Sequence, residues 1–412
     1  MTRMESAERQ TSSTHEDHND EVRRVWKAYR SGNPTRVPVH FNLDERFFIL
    51  NPEINKAGVT WEGLCTDPRQ VIVHRLQVQR WWRSIEEPFM DVEFQVGMPE
   101  AWEGCAPYFE SAHEAAIFGC KLWFAPGENP DVHPIFQQEK ERLFSAAFPD
   151  IHPAGKNVIG ESYRQFLKIG ELSRHMSWDG RPIRPPVFPW RWFQGDGPFT
   201  VGVKLRGGTE LCLDMYEDPK YFHSLMDFVT SSMVHRWRTL LSFAKQEMPD
   251  FEPRANYAVV SEYWGFSDDS AAMLSDKAYR EFVLPFNKRT RDAFCAPDEP
   301  IHVHMCGQAQ HLFETMAAEL GARSFDVGYP TDLGRMRRVL GPDIALMGNI
   351  HPMILKDGPI LRIEEAVKEA LGSGVTDGGR FILRDGSNVP PGTPVQHLLA
   401  CYRAAKKYGR LA

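Results

Sequence analysis

The residues best placed to do chemistry lie in one short run, His302-Val303-His304-Met305-Cys306-Gly307. In a β-strand successive side chains alternate between faces, so His302, His304 and Cys306 project together while Val303 and Met305 point toward covering helices. Gly307 ends the run, which sets His304 and Cys306 at the strand's C-terminal mouth, where parallel α/β barrels keep their reacting groups. An imidazole and a thiolate two residues apart suit a tetrahedral zinc ion. The same pair also fits ordinary interior residues that hydrogen-bond their neighbours, and two ligands do not make a site. Asp268-Asp269 follow a strand and precede a helix capped by Ser275. Asp268 is a candidate for general acid–base work or for anchoring substrate. The blander alternatives are a solvated loop pair, or an aspartate bonding the backbone N–H groups of a helix's first turn. Asp326 and Asn349 close consecutive strands and are expected to line a pocket.

Repeated strand–helix units must position these groups. The run Val37–Phe41 reads as a first strand, and residues 67–86, free of glycine and with proline only near the start, read as a helix. Residues 89–134 hold short strands and many turn residues, the kind of irregular segment that often caps an active site. Thr200–Leu205 is strand-like. Pro219–Glu247 is a long helix with Asp218 as its cap. Tyr257–Ser261, Pro300–Met305, Ser324–Val327, Ile344–Met347 and Arg380–Leu383 are strands, with helices over Ser275–Glu281, up to Phe294, and over Gln310–Leu320. This alternation predicts a parallel sheet in an α/β fold, either open or closed. The first 22 residues, rich in Ser, Thr, Glu, His and Asp, are expected to form a disordered tail. Residues 23–412 form one domain.

Composition narrows the partners. The chain has 412 residues and a net charge of −7, with no basic stripe to neutralise phosphates, so a nucleic-acid partner is not expected. No signal peptide and no apolar run of membrane length are visible, which points to the cytoplasm. Seven widely spread cysteines are an odd number without the spacing of a disulfide framework, and read as reduced thiols. The aromatics Trp81, Trp82, Trp102, Phe109, Trp123 and Phe124 are core residues or the wall of an aromatic pocket.

The segment His302–Pro352, HVHMCGQAQHLFETMAAELGARSFDVGYPTDLGRMRRVLGPDIALMGNIHP, resembles the C-terminal half of the uroporphyrinogen decarboxylase superfamily. Several other pieces resemble the same family in the same order. They are RVPV (36–39), GPFTVGVKLRG (197–207), DMYEDPKYFHSLMDFVT (214–230), SDDSAAMLSDKAYREFVLPF (267–286) and GGRFILRDGSNVPPGTP (378–394). The resemblance implies a single (β/α)8 TIM barrel, a small-molecule substrate and often a homodimer.

It also implies one of two chemistries. True decarboxylases grip an acidic tetrapyrrole with arginines after the first strand. The corresponding stretch here, Phe41-Asn42-Leu43-Asp44-Glu45-Arg46-Phe47, keeps one arginine beside two carboxylates, and Arg384-Asp385-Gly386 stands where they carry a histidine. The other branch comprises zinc-dependent methyltransferases that exchange methyl groups between corrinoid proteins and thiols or methoxy compounds. Their His-x-Cys-Gly signature is matched by His304 and Cys306. Thiol-methylating members take a third zinc ligand from a cysteine beyond the last strand, where this chain has Ser387. Asp385, His351 or Glu262 could replace it, and His351 could equally cap the next helix. Glu262, Asp268 and Asp326 are the catalytic candidates; Arg36, Arg46, His302 and Asn349 are assigned to substrate. No Asp-x-His-x-x-Gly segment is present, so a corrinoid would arrive on a separate protein. A methyltransferase is the leading expectation. A decarboxylase or lyase acting on an acidic ring compound, and a non-catalytic barrel that binds a tetrapyrrole or corrinoid, remain the alternatives.

Overall fold

The computed structural model describes the backbone of residues 3–193, 195–251 and 263–411, with side chains from residue 15 onward apart from Trp190. Its centre is a parallel sheet of five strands in sequence order: β1 (Gly265–Ser267), β2 (Ile301–Met305), β3 (Ala322–Val327), β4 (Ala345–Ile350) and β5 (Phe381–Asp385). Helices surround the sheet. Parallel bridges extend it at both ends, Val39 beside Leu383 and Asp196 beside Ser267. The strands follow the alternation the sequence dictates. In β2, Ile301, Val303 and Met305 are fully buried against the helices, whereas His302 and His304 are half-buried on the other face.

Register does the positioning. His304 pairs with Ser267 on one side and Asp326 on the other, and His302 pairs with Ser324. Residues paired across adjacent strands lie level on the same face. Immediately after β3, Gly328 lets the Cys306–Gly307 backbone pass, because a Cβ there would stand 2.3 Å from the Gly307 nitrogen. Any side chain at 328 would push the thiol away from the strand mouth.

The helix Pro219–Glu247 matches the expected span, and the Asp218 side chain accepts the Tyr221 N–H at its start. The helix Pro68–Arg83 likewise falls inside 67–86. Two expectations need correction. Thr200–Leu205 is not a strand but the body of the helix Pro198–Arg206, with proline in its first turn. The opening segment is not a tail ending at residue 22, because a helix runs over Arg3–Arg30. From residue 15 onward its side chains are tied to the body. The His15 and His18 rings bond the Ile85 and Val92 carbonyls at 3.0 Å, and Asn19 donates to the Phe94 carbonyl at 2.8 Å. The expected strand Tyr257–Ser261 and the candidate Glu262 lie outside the described residues. No helix among the described residues is long and apolar enough to cross a membrane.

Candidate active site

At the mouth of β2, His304 Nδ1 stands 2.7 Å from Asp326 Oδ2 and Nε2 stands 2.9 Å from Cys306 Sγ. The carboxylate accepts a hydrogen bond from Nδ1–H, so Nε2 is left to face the sulfur. Arg384 donates to the same Asp326 oxygen at 2.9 Å. Burial alone would raise the Asp326 carboxyl, but Arg384 and His304 overcome it and hold the group well below the ordinary carboxylate range. Burial disfavours a charged His304, yet Asp326 and Cys306 raise its pKa well above the usual imidazole value.

The third member of the cluster is Asp269, in the turn Asp269–Met273 directly after β1. Its Oδ1 accepts the Cys306 N–H at 2.5 Å and lies 3.9 Å from His304 Nε2. Among the described residues, Asp269, His304 and Cys306 are the group of His, Cys, Asp and Glu side chains whose ligand atoms converge, all within 4.8 Å of one another. Donors on a tetrahedral zinc ion, at bond lengths of about 2.0–2.3 Å, stand roughly 3.3–3.8 Å apart. The set of imidazole, thiol and carboxylate fits zinc in donor type, and its separations of 2.9 and 3.9 Å bracket that spacing, with Asp326 behind the imidazole as such sites require.

The structure brings some expected residues into this centre and leaves others out. Asp326, His304 and Cys306 are together. His302 lies one layer below, its Nδ1 2.9 Å from Ser324 Oγ, and burial lowers its pKa to about 4. Asp268 is buried beneath the site. It accepts the Thr200 N–H and hydroxyl at 3.1 and 3.0 Å, the first turn of a helix distant in sequence, and Asn287 Nδ2 at 2.9 Å. Burial pushes its carboxyl up to about 6 despite those bonds.

Asp385 accepts the Asn42 N–H at 2.7 Å, and burial pushes it to about 6 against the pull of Arg384. His351 caps the helix Pro352–Asp357 by accepting the Met353 N–H at 3.0 Å. Both lie outside the converging group. Asn349 spans the Gly328 and Thr331 carbonyls. Arg36 is buried in a fork to Asp91 at 2.8 and 2.6 Å. These two residues brace backbone and helices.

A cavity of about 260 Å³ opens beside His304 and His302, walled by Phe109, Phe266, Glu110, Glu114, Arg191 and Asp196 among others. None of the last four was singled out in the sequence. They come from the irregular segments 89–134 and 190–197, where no periodicity announces which way a side chain points. Phe109 and Trp102 are buried core aromatics, and Phe109 also forms part of the cavity wall.

Comparison with known proteins bears on residues both inside and outside this centre. The family model described as Uroporphyrinogen decarboxylase (URO-D) matches residues 260–408, which include β1 through β5 and the whole cluster. A methylated-thiol–coenzyme M methyltransferase of Methanosarcina mazei is 24% identical over 74% of this chain and 72% of its own length. A uroporphyrinogen decarboxylase of Shewanella amazonensis is 27% identical over 70% of this chain and 75% of its own. The chain is thus similar to the uroporphyrinogen decarboxylase superfamily, by the family model over residues 260–408 and by these relatives over 70% or more of its length. A solved methyltransferase structure from Methanosarcina mazei shares the fold, with a TM-score of 0.59 over 92% of this chain and 97% of that one at 18% identity.

The two departures from that superfamily noted in the sequence now have positions. Ser387, standing where a cysteine ligand was expected, places its Oγ 3.2 Å from Cys306 Sγ. The two acids after the first extended run are used internally. Asp44 caps the helix Glu45–Ile49 and accepts Arg46 Nε at 2.9 Å. Glu45 stands 2.6 Å from His74 and 3.0 Å from Arg75. Burial works against its charge, but Arg75 and His74 hold it down at about 2.

Proposed function

We propose that this chain is a zinc-dependent methyltransferase that takes a methyl group from a small methylated compound and passes it to a thiol or to a corrinoid on a separate protein. The observation that carries the reading is the convergence of Asp269, His304 and Cys306, backed by Asp326, with His304 also lining a cavity large enough for a small substrate. These three residues would hold the ion. When bound, zinc acts as a Lewis acid on the group it touches, lowering the pKa of a thiol or polarising a leaving atom. The chain's own part is to fix Nε2 toward the metal through Asp326 and to wall the substrate from water with Phe109 and Phe266. The reading takes the five-stranded sheet with its two bridged ends as part of an eight-stranded barrel whose mouth carries this site, in a cytoplasmic enzyme.

Relatives with both activities match the chain, so the choice between them rests on the cluster. A decarboxylase for an acidic tetrapyrrole needs free cations at the mouth, and Arg46 is engaged by Asp44. The test is methyl transfer from methoxy, methylamine and methylthio compounds to cob(I)alamin or a thiol, in wild type and Cys306→Ala. Activity lost in the variant supports the proposal. Full activity in Cys306→Ala, or carbon dioxide release from uroporphyrinogen by the wild type, would overturn it.

A further inference from the structure

Three acidic groups face the cavity beside His304, and they differ in how they are held. Glu110 accepts Arg191 Nη1 at 2.7 Å and caps the helix Ser111–Ile117, so it is partnered on the cavity rim. Asp196 is paired with Lys204 at 3.3 Å and also bonds the Ser111 hydroxyl. Glu114 is different. Its side chain is 2% exposed and forms part of the cavity wall; its Oε2 accepts the Asp196 N–H at 3.2 Å, and its only ion-pair partner among the described residues is Arg236, whose Nη2 lies 3.1 Å from Oε1. Gly195, also on the wall, leaves the space that the carboxyl fills, since a Cβ there would stand 1.8 Å from Glu114 Oε1.

We infer that Glu114 is the proton donor to the leaving group, and that the methylated substrate is therefore a methoxy compound. The inference rests on the proposed methyl transfer and narrows it. An oxygen leaving group gains most from a proton, because an alkoxide is a far stronger base than a thiolate and a simple phenolate a somewhat stronger one. In the step, the bond between methyl carbon and oxygen breaks with its electron pair on oxygen. The acceptor, a thiolate or a reduced corrinoid, supplies the pair for the new bond to carbon. The Glu114 proton goes to the oxygen, releasing an alcohol or phenol. The carboxylate left behind is the one Arg236 is placed to receive. Burial supplies the readiness, since it pushes the Glu114 carboxyl up to about 7 against the opposing pull of Arg236. Phe109 and Phe266 give the rest of the wall an apolar face for the carbon skeleton.

The experiment uses the full chain carrying zinc, cob(I)alamin as acceptor, and para-substituted anisoles whose phenols differ in acidity. Wild type is expected to show rates nearly independent of phenol acidity. Glu114→Gln is expected to lose about 10²- to 10⁴-fold with 4-methylanisole and less than about 10-fold with 4-nitroanisole. Its zinc content should match wild type. An equal loss across the series, or no loss, overturns the inference and leaves the methyltransferase reading standing. Should the variant fail to fold, the wild-type series decides alone, a steep dependence on phenol acidity being the contrary result. Wild type that demethylates dimethyl sulfide but no anisole also overturns it. No methyl transfer from any donor overturns the underlying reading and this one with it.

Discussion

The Asp326 carboxylate holds His304 by its Nδ1 at 2.7 Å, and the parallel register of β2 and β3 makes the two residues direct neighbours. This pairing fixes which imidazole nitrogen faces Cys306. Asp326→Asn keeps the shape and removes the charge. Zinc affinity is expected to fall about 10- to 100-fold, read by competition with a chelator. Unchanged affinity would mean that the imidazole is oriented by something else.

Ser387 Oγ lies 3.2 Å from Cys306 Sγ, close enough for a thiol at the same position to reach a shared ion. Ser387→Cys under reducing conditions is expected to tighten zinc binding by on the order of 10-fold, since a thiolate is a far better zinc ligand than a neutral hydroxyl. A weaker site in this variant would place Ser387 outside the metal's reach.

Arg36 and Asp91 form a buried pair whose carboxylate also accepts the Val39 N–H and the Tyr402 hydroxyl. Arg36→Ala strands that carboxylate. A loss of about 3–5 kcal/mol of stability is expected in denaturant unfolding, with zinc content per folded chain unchanged. Loss of metal without loss of stability would return Arg36 to the active site.

Glu114 gives stability a pH dependence of definite sign. Its pKa in the folded chain, about 7, lies above its ordinary value of 4.5, so the folded state holds a proton that the unfolded state releases between those values. Stability from this group is complete at pH values below about 4.5 and declines as pH rises to about 7, by on the order of 3 kcal/mol. Denaturant midpoints measured across that window should show a downward slope that is flatter in Glu114→Gln. An identical slope in both proteins would show Glu114 ionising as it does in the unfolded chain.

Much of this arrangement was legible in the residues, and the exceptions share a physical cause. The alternation in Ile301–Met305 foretold which face His302 and His304 occupy, and Asp218 before Pro219 marked the long helix correctly. Thr200–Leu205 misled because Thr, Val and Val favour strands, while Pro198 at the helix's first turn was the stronger sign. The opening helix is polar over its first half, and its apolar stripe of Val22, Val25, Trp26 and Tyr29 begins only near its end. What fixes His15, His18 and Asn19 are carbonyls about 70 or more residues away, which no local pattern reveals. Asp268 and Asp269 were visible as a pair, but only the turn after β1 decides that Asp269 reaches the thiol while Asp268 goes to Thr200. Glu114 was hidden in a segment without periodicity.

The central claim is a metal held by Asp269, His304 and Cys306. The most direct measurement is zinc content of the full chain purified without chelators, compared between wild type and Cys306→Ala. About one zinc per wild-type chain and a large loss in the variant are expected. Less than about half an equivalent in wild type, or equal zinc in both proteins, would contradict it.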